Sequence, residues 1–323
     1  MKPVSAVLSF CVFAISFAAA SDAAPSPHAT VSPQLVLDTA ISIVNRNALH
    51  AHDVDWAVVV PQLHTMAANA KVPSDVYPAI RTLLKELGDH HSSLMDPSSA
   101  EAFKTEGVPD ADPVVTLQPD GIGYVMMPRY VGVSEHAAKM FVSDMVARTN
   151  RIATQAQCGW IVDLRNDRGG NMYPMLGALS PLLGQELWGS FRDGTGHLTP
   201  WHTIFRVPPM VAFGPDLSVE RVAVLIGPHT ASSGEAVAVA FRGRPSTRFF
   251  GEPTAGLSTA NRLFPLPDGS QIVLTVSVDV DRNGQEYGGK LQPDQLVSSD
   301  AVNGSDAAIS AATAWLKQTG DCP

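Results

Sequence analysis

Basic residues are few and scattered in this sequence. Its 22 lysines and arginines are outnumbered by 31 aspartates and glutamates, which gives a formal net charge of -9 at pH 7. No cluster of lysine and arginine occurs along the chain. Proteins that bind nucleic acid usually carry a basic patch or stripe, so the composition argues against a nucleic-acid partner.

Cysteine is scarce as well, and recognisable metal-binding spacings are missing. Of the three cysteines, Cys11 lies in the apolar N-terminal segment, which leaves Cys158 and Cys322. Neither CxxC nor HExxH occurs, so we expect no metal site, and nothing in the sequence calls for a cofactor. In an oxidising compartment a pair of cysteines is more often bridged than free, and we therefore expect a Cys158–Cys322 disulfide.

The N-terminus carries an apolar run that is short for a membrane span. Lys2 precedes the run VSAVLSFCVFAISFAAA, and Ala18 and Ala20 form an A-x-A-like cleavage site before Ser21. This pattern predicts a signal peptide over residues 1–24, cleaved at about residues 20–24. The alternative is a membrane anchor, but the run is short and a Pro/Ser/Ala-rich stretch follows it. We expect a periplasmic or secreted protein with no stable membrane insertion after processing.

The remaining chain divides into two parts with different sequence patterns. At 45% hydrophobic and 16% charged residues it can bury a sizeable core. Apolar residues recur at helical spacing in the first part, which predicts a small helical N-terminal region over residues 33–100. Strands alternate with helices over residues 112–318, and this alternation predicts an α/β core with a largely parallel sheet. Within this core, RLFPLPDGSQIVLTVSV predicts a β-hairpin turned at Asp268-Gly269.

Two strand-to-helix junctions carry unusual residues. In IVDLRNDRGGNM an apolar strand runs into a polar loop that ends in Gly169-Gly170. Two glycines permit positive φ angles and let a ligand approach the backbone, although a plain turn explains the loop equally well. In open α/β sheets, sites form where strands end and helices begin.

The second junction is GPHTASSGEAVAVAF, which places two hydroxyls at a helix N-terminus. Ser232 and Glu235 fit a capping box, which is a purely structural role. A residue at this position also gains from the helix dipole and from free N–H groups that suit a developing oxyanion. Ser232 is therefore a candidate nucleophile as well as a candidate cap.

A candidate base lies in ELGDHHSSLM, at the end of the predicted N-terminal helices. His90 and His91 follow Asp89 there, and such a stretch is often only a solvated loop. If the fold brings one histidine to Ser232, that histidine can act as a general base oriented by a carboxylate. Spacing alone does not decide this.

Taken together, these stretches resemble the C-terminal-processing and tricorn-type serine peptidase family. IVDLRNDRGG is similar to the family motif DLRxNxGG, and TASSGE is similar to its nucleophile motif. FFGEPTAG resembles the following strand, LQPD the closing hydrophobic-x-Pro-Asp, and LGDHHS the D-x-H-S element of the histidine-using branch. The resemblance covers roughly residues 83–297 and implies a ClpP/crotonase-like α/β core.

The resemblance also implies roles for particular residues. Ser232 matches the nucleophile and His91 the base, while the backbone N–H groups of Ser233 and Gly170 match the two oxyanion donors. The branch that uses a Ser-Lys dyad has its lysine where this chain has Leu257, and leucine cannot accept a proton.

The third catalytic member has no clear match. The tricorn-like branch carries a glutamate shortly before the closing Pro-Asp, but Tyr287 falls there and Glu286 is one position away. Glu286 and Asp89 are therefore the two candidates for a carboxylate that orients the imidazole.

The resulting hypothesis is an exported serine peptidase that acts on peptides or unfolded protein. The residues between His91 and Asp163 are used up by two strands and a helix, which leaves no room for an inserted PDZ domain. The alternative is a non-catalytic ligand- or peptide-binding module on the same fold. An esterase would use the same chemistry, but the G-x-S-x-G elbow of common α/β-hydrolases is missing.

Overall fold

A computed structural model describes residues 31–105, 107–184, 187–201, 216–298 and 306–319, together with Cys322. The predicted signal peptide lies outside the described residues. The helices are α1 Pro33–Asn47, α2 Trp56–Met66, α3 Tyr77–Glu86, α4 Pro97–Thr105, α5 Glu135–Ile152, α6 Met172–Leu183, α7 Ser233–Phe241 and α8 Ala307–Leu316. The strands are β1 Ser93–Met95, β2 Gly107–Pro109, β3 Val114–Leu117, β4 Gly123–Met126, β5 Tyr130–Gly132, β6 Trp160–Asp163, β7 Gly189–Asp193, β8 Leu198–Pro200, β9 Val222–Ile226, β10 Thr247–Gly251, β11 Thr259–Pro265, β12 Gln271–Asp281 and β13 Gln295–Leu296.

The N-terminal helices form their own apolar cluster against a β-hairpin. Buried residues of α1, α2 and α3 pack together with Ile272 and Leu274 of β12. Pro61 lies inside a continuous α2. The side chains of Pro61 and Ala57 are both exposed. The carbonyl that loses its helical partner at Pro61 therefore lies on the solvent side, where water can satisfy it.

The central sheet has the strand order β13-β10-β9-β6-β4-β3. All its neighbouring pairs are parallel except β3–β4, which is antiparallel. This arrangement is the largely parallel sheet that the alternating pattern predicted. Because parallel strands share one direction, the loops that follow β6 and β9 leave the sheet at the same edge.

The strands at the centre of this sheet are apolar along their whole length because helices cover both faces. In β9, Val222, Val224 and Ile226 belong to the large cluster that includes α5, α6 and α7. Ala223 and Leu225 point the other way, into the cluster that contains α8. Because successive side chains of β9 point to opposite faces of the sheet, this strand contributes to two apolar cores, as is typical of α/β proteins.

A second sheet supports the first and carries the helical region. Its order is β1-β12-β7-β8, and β11 pairs with β12 on the other side. β11 and β12 form the hairpin that the sequence predicted, turned at Asp268-Gly269, where Gly269 has a φ of 88°. A β-bulge between Ala260 and Asn261 changes the register of this pair. No helix among the described residues has the length and apolar character needed to cross a membrane.

The predicted disulfide joins Cys158 and Cys322, which are 164 positions apart, with a Cα–Cα distance of 5.0 Å. Cys158 is buried beside Leu316 of α8 in the cluster on one face of the central sheet. The bridge therefore ties the C-terminal end to the start of β6 and holds α8 over the sheet.

We expect the double substitution Cys158→Ala and Cys322→Ala to lower the free energy of unfolding by about 3–5 kcal/mol, because the bridge closes a long loop in the unfolded chain. Urea denaturation of the oxidised protein and of the variant measures the difference. A reducing agent should destabilise the wild-type protein and leave the variant unchanged. Equal stability of oxidised protein and variant would contradict the prediction.

Candidate functional site

The two glycine- and serine-bearing loops meet because β6 and β9 are parallel neighbours. Ala231 N–H donates to the carbonyl of Asp167 at 3.0 Å, and the Thr230 hydroxyl donates to the carbonyl of Leu164 at 2.9 Å. Both bonds join the loop after β9 to the loop after β6. The two junctions that the sequence singled out therefore form one site at the carboxyl edge of the sheet.

Ser232 occupies a strained backbone position just before α7. Its φ of 53° and ψ of −122° are rare for a residue with a side chain. The N–H of Glu235 bonds to the backbone carbonyl of Ser232 at 2.8 Å, and the Glu235 carboxylate accepts the N–H of Ser232 at 3.1 Å. Glu235 thus makes its half of the capping box, while the Ser232 hydroxyl bonds elsewhere.

That hydroxyl meets His91, although 141 positions separate the two residues. The distance between His91 Nε2 and Ser232 Oγ is 2.8 Å. Asp89 fixes the turn that presents the histidine, since its Oδ1 accepts the N–H groups of His91 and Ser92 at 2.9 and 2.8 Å. The structure therefore brings together the serine and the histidine that sequence reasoning selected.

The other ring nitrogen of His91 contacts a threonine that sequence reasoning missed. His91 Nδ1 lies 2.7 Å from the Oγ1 of Thr259, the first residue of β11. Asn261, two residues further along β11, donates from its side chain to the backbone carbonyl of His91 at 3.2 Å. The polar residues at the start of the predicted hairpin were the available signal, but only the fold brings them to His91.

Neither candidate carboxylate bonds to the imidazole, because hydroxyls occupy both ring nitrogens. Asp89 is engaged with the backbone N–H groups described above and with the hydroxyl of Ser92 at 2.6 Å. Glu286 forms an ion pair with Arg192 on the surface. Where the sequence led us to expect a carboxylate beside the imidazole, the structure has the hydroxyl of Thr259.

The glycine loop packs directly against the serine. A Cβ added to Gly169 would lie 2.9 Å from the Cβ of Ser232 and 2.8 Å from the carbonyl oxygen of Ala231. A Cβ on Gly170 would lie 2.0 Å from the carbonyl oxygen of Tyr130. Both glycines have φ near 100°. Only glycine permits this close approach of the loop to the start of α7.

The backbone N–H groups of Ser233 and Gly170 belong to the two segments that meet beside the serine. Among the described residues, neither Ser233 N–H nor Gly170 N–H has an acceptor. The hydroxyl of Ser233 donates to the carbonyl of Gly170 at 2.7 Å, which holds the two segments together. The residues expected to supply oxyanion donors are therefore adjacent, and their N–H groups are available.

Glu235 organises the segment that contains Leu257. Its buried carboxylate accepts the N–H groups of Gly256 and Leu257 at 3.0 and 2.6 Å, and the hydroxyl of Thr254 as well. Leu257 lines the same groove as Ser232. The position at which relatives with a Ser-Lys dyad carry lysine is thus close to the serine but holds an apolar side chain.

Burial controls the charge of the titratable groups around the site. It lowers the pKa of His91, and the nearby Asp89 carboxylate opposes the shift only in part. Burial also raises the pKa of Asp279 well above its usual range, and the negative charge of Glu235 adds to this shift. Neither carboxyl oxygen of Asp279 has a hydrogen-bond partner among the described residues. Burial therefore favours the uncharged form of both the His91 imidazole and the Asp279 carboxyl group.

Ser232 and His91 line a groove of about 1450 Å³. Its lining residues come from the end of α1 and the residues after it, from β11 and β12, and from the loop after β6. This volume exceeds the range of about 300–1,000 Å³ typical of small-molecule pockets, so a peptide segment has room to bind. The described residues contain no group of three or more His, Cys, Asp or Glu side chains that could hold a metal ion.

This fold and arrangement have known relatives. The nisin-resistance protein of Lactococcus lactis subsp. lactis is 26% identical over 264 residues, which cover 79% of this chain and 80% of that protein. The structure of a lipoprotein from Streptococcus agalactiae has a TM-score of 0.75 at 21% identity, with 89% of this chain and 96% of that chain covered. The photosystem II D1 C-terminal processing protease has a TM-score of 0.57 at 15% identity, with coverage of 90% and 99%. At these identities, the two structures are evidence for the fold.

The family model described as peptidase family S41 matches residues 121–297, which is more than half of the chain. The matched span contains Gly170, Ser232 and Thr259, and His91 precedes it. The resemblance found in the sequence motifs is confirmed, and so is the ClpP/crotonase-like α/β fold. The chain belongs to peptidase family S41 and is a serine peptidase.

Proposed function

We propose that this protein is an exported peptidase in which Ser232 attacks the scissile carbonyl of a peptide or unfolded protein and His91 is the general base. The observation that carries this proposal is the 2.8 Å contact between His91 Nε2 and Ser232 Oγ. This distance is within hydrogen-bond reach, as required of a base that removes the hydroxyl proton. Both residues line the groove, so a bound chain can reach them.

Proton transfer from Ser232 to His91 depends on the other ring nitrogen of the histidine, which contacts Thr259. When Nε2 accepts the proton of Ser232, Nδ1 must already carry a hydrogen, and that hydrogen is donated to the Thr259 hydroxyl at 2.7 Å. The Thr259 hydroxyl can accept this hydrogen in the tautomer that leaves the lone pair of Nε2 free, and the contact fixes the plane of the ring. A neutral hydroxyl stabilises an imidazolium less than a carboxylate does, which agrees with the lowered pKa of His91.

The tetrahedral intermediate receives its stabilisation from the loop after β6 and the start of α7. Attack by Ser232 turns the carbonyl oxygen into an oxyanion, for which the N–H groups of Gly170 and Ser233 are the available donors. The positive end of the α7 dipole acts in the same direction. His91, now protonated, then gives its proton to the leaving amine, and water hydrolyses the acyl-enzyme with the same base.

The proposal that the protein is exported rests on observations other than the geometry of the catalytic pair. The apolar N-terminal run has the pattern of a signal peptide, and the Cys158–Cys322 bridge is typical of an oxidising compartment. One relative is described as a lipoprotein and another as a nisin-resistance protein, and both descriptions fit a function outside the cytoplasm. The residues between His91 and Asp163 form short strands and helices, which supports a peptidase without an inserted PDZ domain.

The first test removes the nucleophile and the base. Ser232→Ala and His91→Asn should each lower kcat/KM for an unfolded protein substrate by roughly 10⁴-fold or more, because the two groups act as a unit. A fluorophosphonate should label the wild-type protein and fail to label Ser232→Ala.

His90→Asn is the matched control, since His90 is exposed and has a φ of 55°, a conformation that asparagine tolerates. This control should keep wild-type activity. Peptide binding without labelling or hydrolysis in the wild-type protein would instead support a non-catalytic binding module.

The second test addresses Thr259. Thr259→Val keeps the shape and removes the hydroxyl, so kcat/KM should fall about ten- to a hundredfold because the ring loses its orientation. Thr259→Ser should restore most of the activity.

In the wild-type protein, kcat/KM should increase as pH rises, with a midpoint below about pH 6.5. This value is the ordinary pKa of histidine, and burial lowers the pKa of His91.

Thr259→Asp gives the sharper version of this test, because a carboxylate at Nδ1 stabilises the imidazolium. The acidic limb of the pH profile should then move to higher pH than in the wild-type protein. An unchanged limb, together with full activity of Thr259→Val, would show that the threonine has no part in orienting the base.

A further inference from the structure

The groove around Ser232 is positively charged although the protein carries a net charge of -9. Four arginines line it, namely Arg46, Arg129, Arg168 and Arg262, and the described lining residues include two aspartates and neither glutamate nor lysine. The excess of positive charge is therefore local and is opposite in sign to the charge of the whole chain.

The two aspartates do little to balance these arginines. Asp193 is committed to its own turn, where its Oδ1 accepts the N–H groups of Thr195 and His197 at 2.9 and 3.0 Å. Asp279 is fully buried, and burial raises its pKa well above the usual range, which favours its uncharged form. The four arginines therefore outnumber the two aspartates among the lining residues, and one of these aspartates is fully buried.

The arginines of the groove lack the ion pairs that several other arginines of the described chain form. Arg148, Arg165 and Arg242 form ion pairs with aspartates. Within the described part of the chain, none of the four groove arginines has such a pair. The buried Nε of Arg129 has no acceptor there, which is also true of the Nε of the ion-paired Arg242. A guanidinium is always charged and matches a carboxylate with two parallel hydrogen bonds, so an unpaired one in a cleft is suited to binding an anion.

Two of the four arginines flank the oxyanion loop. A Cβ on Gly170 would lie 3.7 Å from the Cγ of Arg129, and Arg168 is exposed two residues before Gly170. Asp167, the acidic residue of this loop, is buried, and burial raises its pKa although the nearby charge of Arg129 opposes the shift. Positive charge is therefore concentrated beside the point at which a scissile carbonyl would lie.

We infer that the groove binds its substrate through carboxylates, so that the peptidase acts on peptides that bring negative charge to Arg129, Arg168 and Arg262. This inference rests on the proposed function, since it names the substrate class of the same site. The carboxylates can come from acidic side chains or from the C-terminus of the substrate. Both sources share the chemistry that the guanidinium groups recognise.

The test uses one short flexible host peptide with glutamate, glutamine or lysine at the same guest positions and an amide at its C-terminus. A fourth peptide is the glutamine version with a free C-terminal carboxylate. Binding is measured by fluorescence anisotropy on the Ser232→Ala variant, and hydrolysis is measured on the wild-type protein. Because binding does not require turnover, it remains informative if the catalytic proposal fails.

We expect the glutamate peptide to bind roughly three- to tenfold more tightly than the amidated glutamine peptide, as two partly exposed ion pairs imply. The lysine peptide should bind most weakly. The ratio of the affinities for the glutamate and glutamine peptides should decrease as the salt concentration rises from about 0.02 M to about 0.3 M. A gain for the free C-terminus alone would assign the carboxylate to the end of the chain.

Arginine variants identify which side chains cause the preference for the glutamate peptide. Arg168→Gln and Arg262→Gln concern exposed side chains and should reduce the preference for glutamate over glutamine. Arg151→Gln removes the same charge from an exposed position of α5 that does not line the groove, and it should leave the preference unchanged. Equal binding of the four peptides, tighter binding of the lysine peptide, or an equal effect of Arg151→Gln would overturn the inference.

Discussion

The hydrogen bond between His91 and Ser232 depends on the β11–β12 hairpin. Thr259 and Asn261 of β11 hold the ring and the backbone of His91. Thr275 of β12 donates its backbone N–H to the hydroxyl of Ser92, the residue after His91, at 3.0 Å. The hairpin also packs against the N-terminal helices through Ile272 and Leu274. One structural element thus joins the helical region to the core and sets the position of the base relative to the nucleophile.

The nucleophile, in contrast, is fixed by the central sheet. The parallel pairing of β6 and β9 brings both loops to one edge, and Gly169 allows them to touch. Glu235 then uses its carboxylate to hold the N–H of Ser232 and the segment around Leu257 in a single buried network. The strained φ of Ser232 persists because these surrounding contacts fix it. Base and nucleophile are therefore positioned by different sheets, and the site forms only when both sheets are assembled.

Sequence patterns predicted the parts of the fold that local physics determines. Helical spacing indicated α1 and α3, the apolar runs indicated β6 and β9, and Asp268-Gly269 marked the hairpin turn. Motif resemblance selected Ser232, His91, Ser233 and Gly170, which the structure brings together. Thr259 was not predictable, because its contact with His91 spans 168 positions and no local pattern distinguishes a threonine that orients a base from one that pairs in a strand. The charge of the groove was also hidden, since its arginines are scattered along the chain and converge only in three dimensions.

The account depends on Ser232 as the group that becomes acylated beside the N–H groups of Gly170 and Ser233. The most direct measurement is a crystal structure of the wild-type protein after reaction with a fluorophosphonate. We predict a phosphorus–Oγ bond to Ser232, with a phosphoryl oxygen between those two N–H groups and His91 still held by Thr259. An adduct on another residue, or a phosphoryl oxygen that points away from Gly170 and Ser233, would contradict the account.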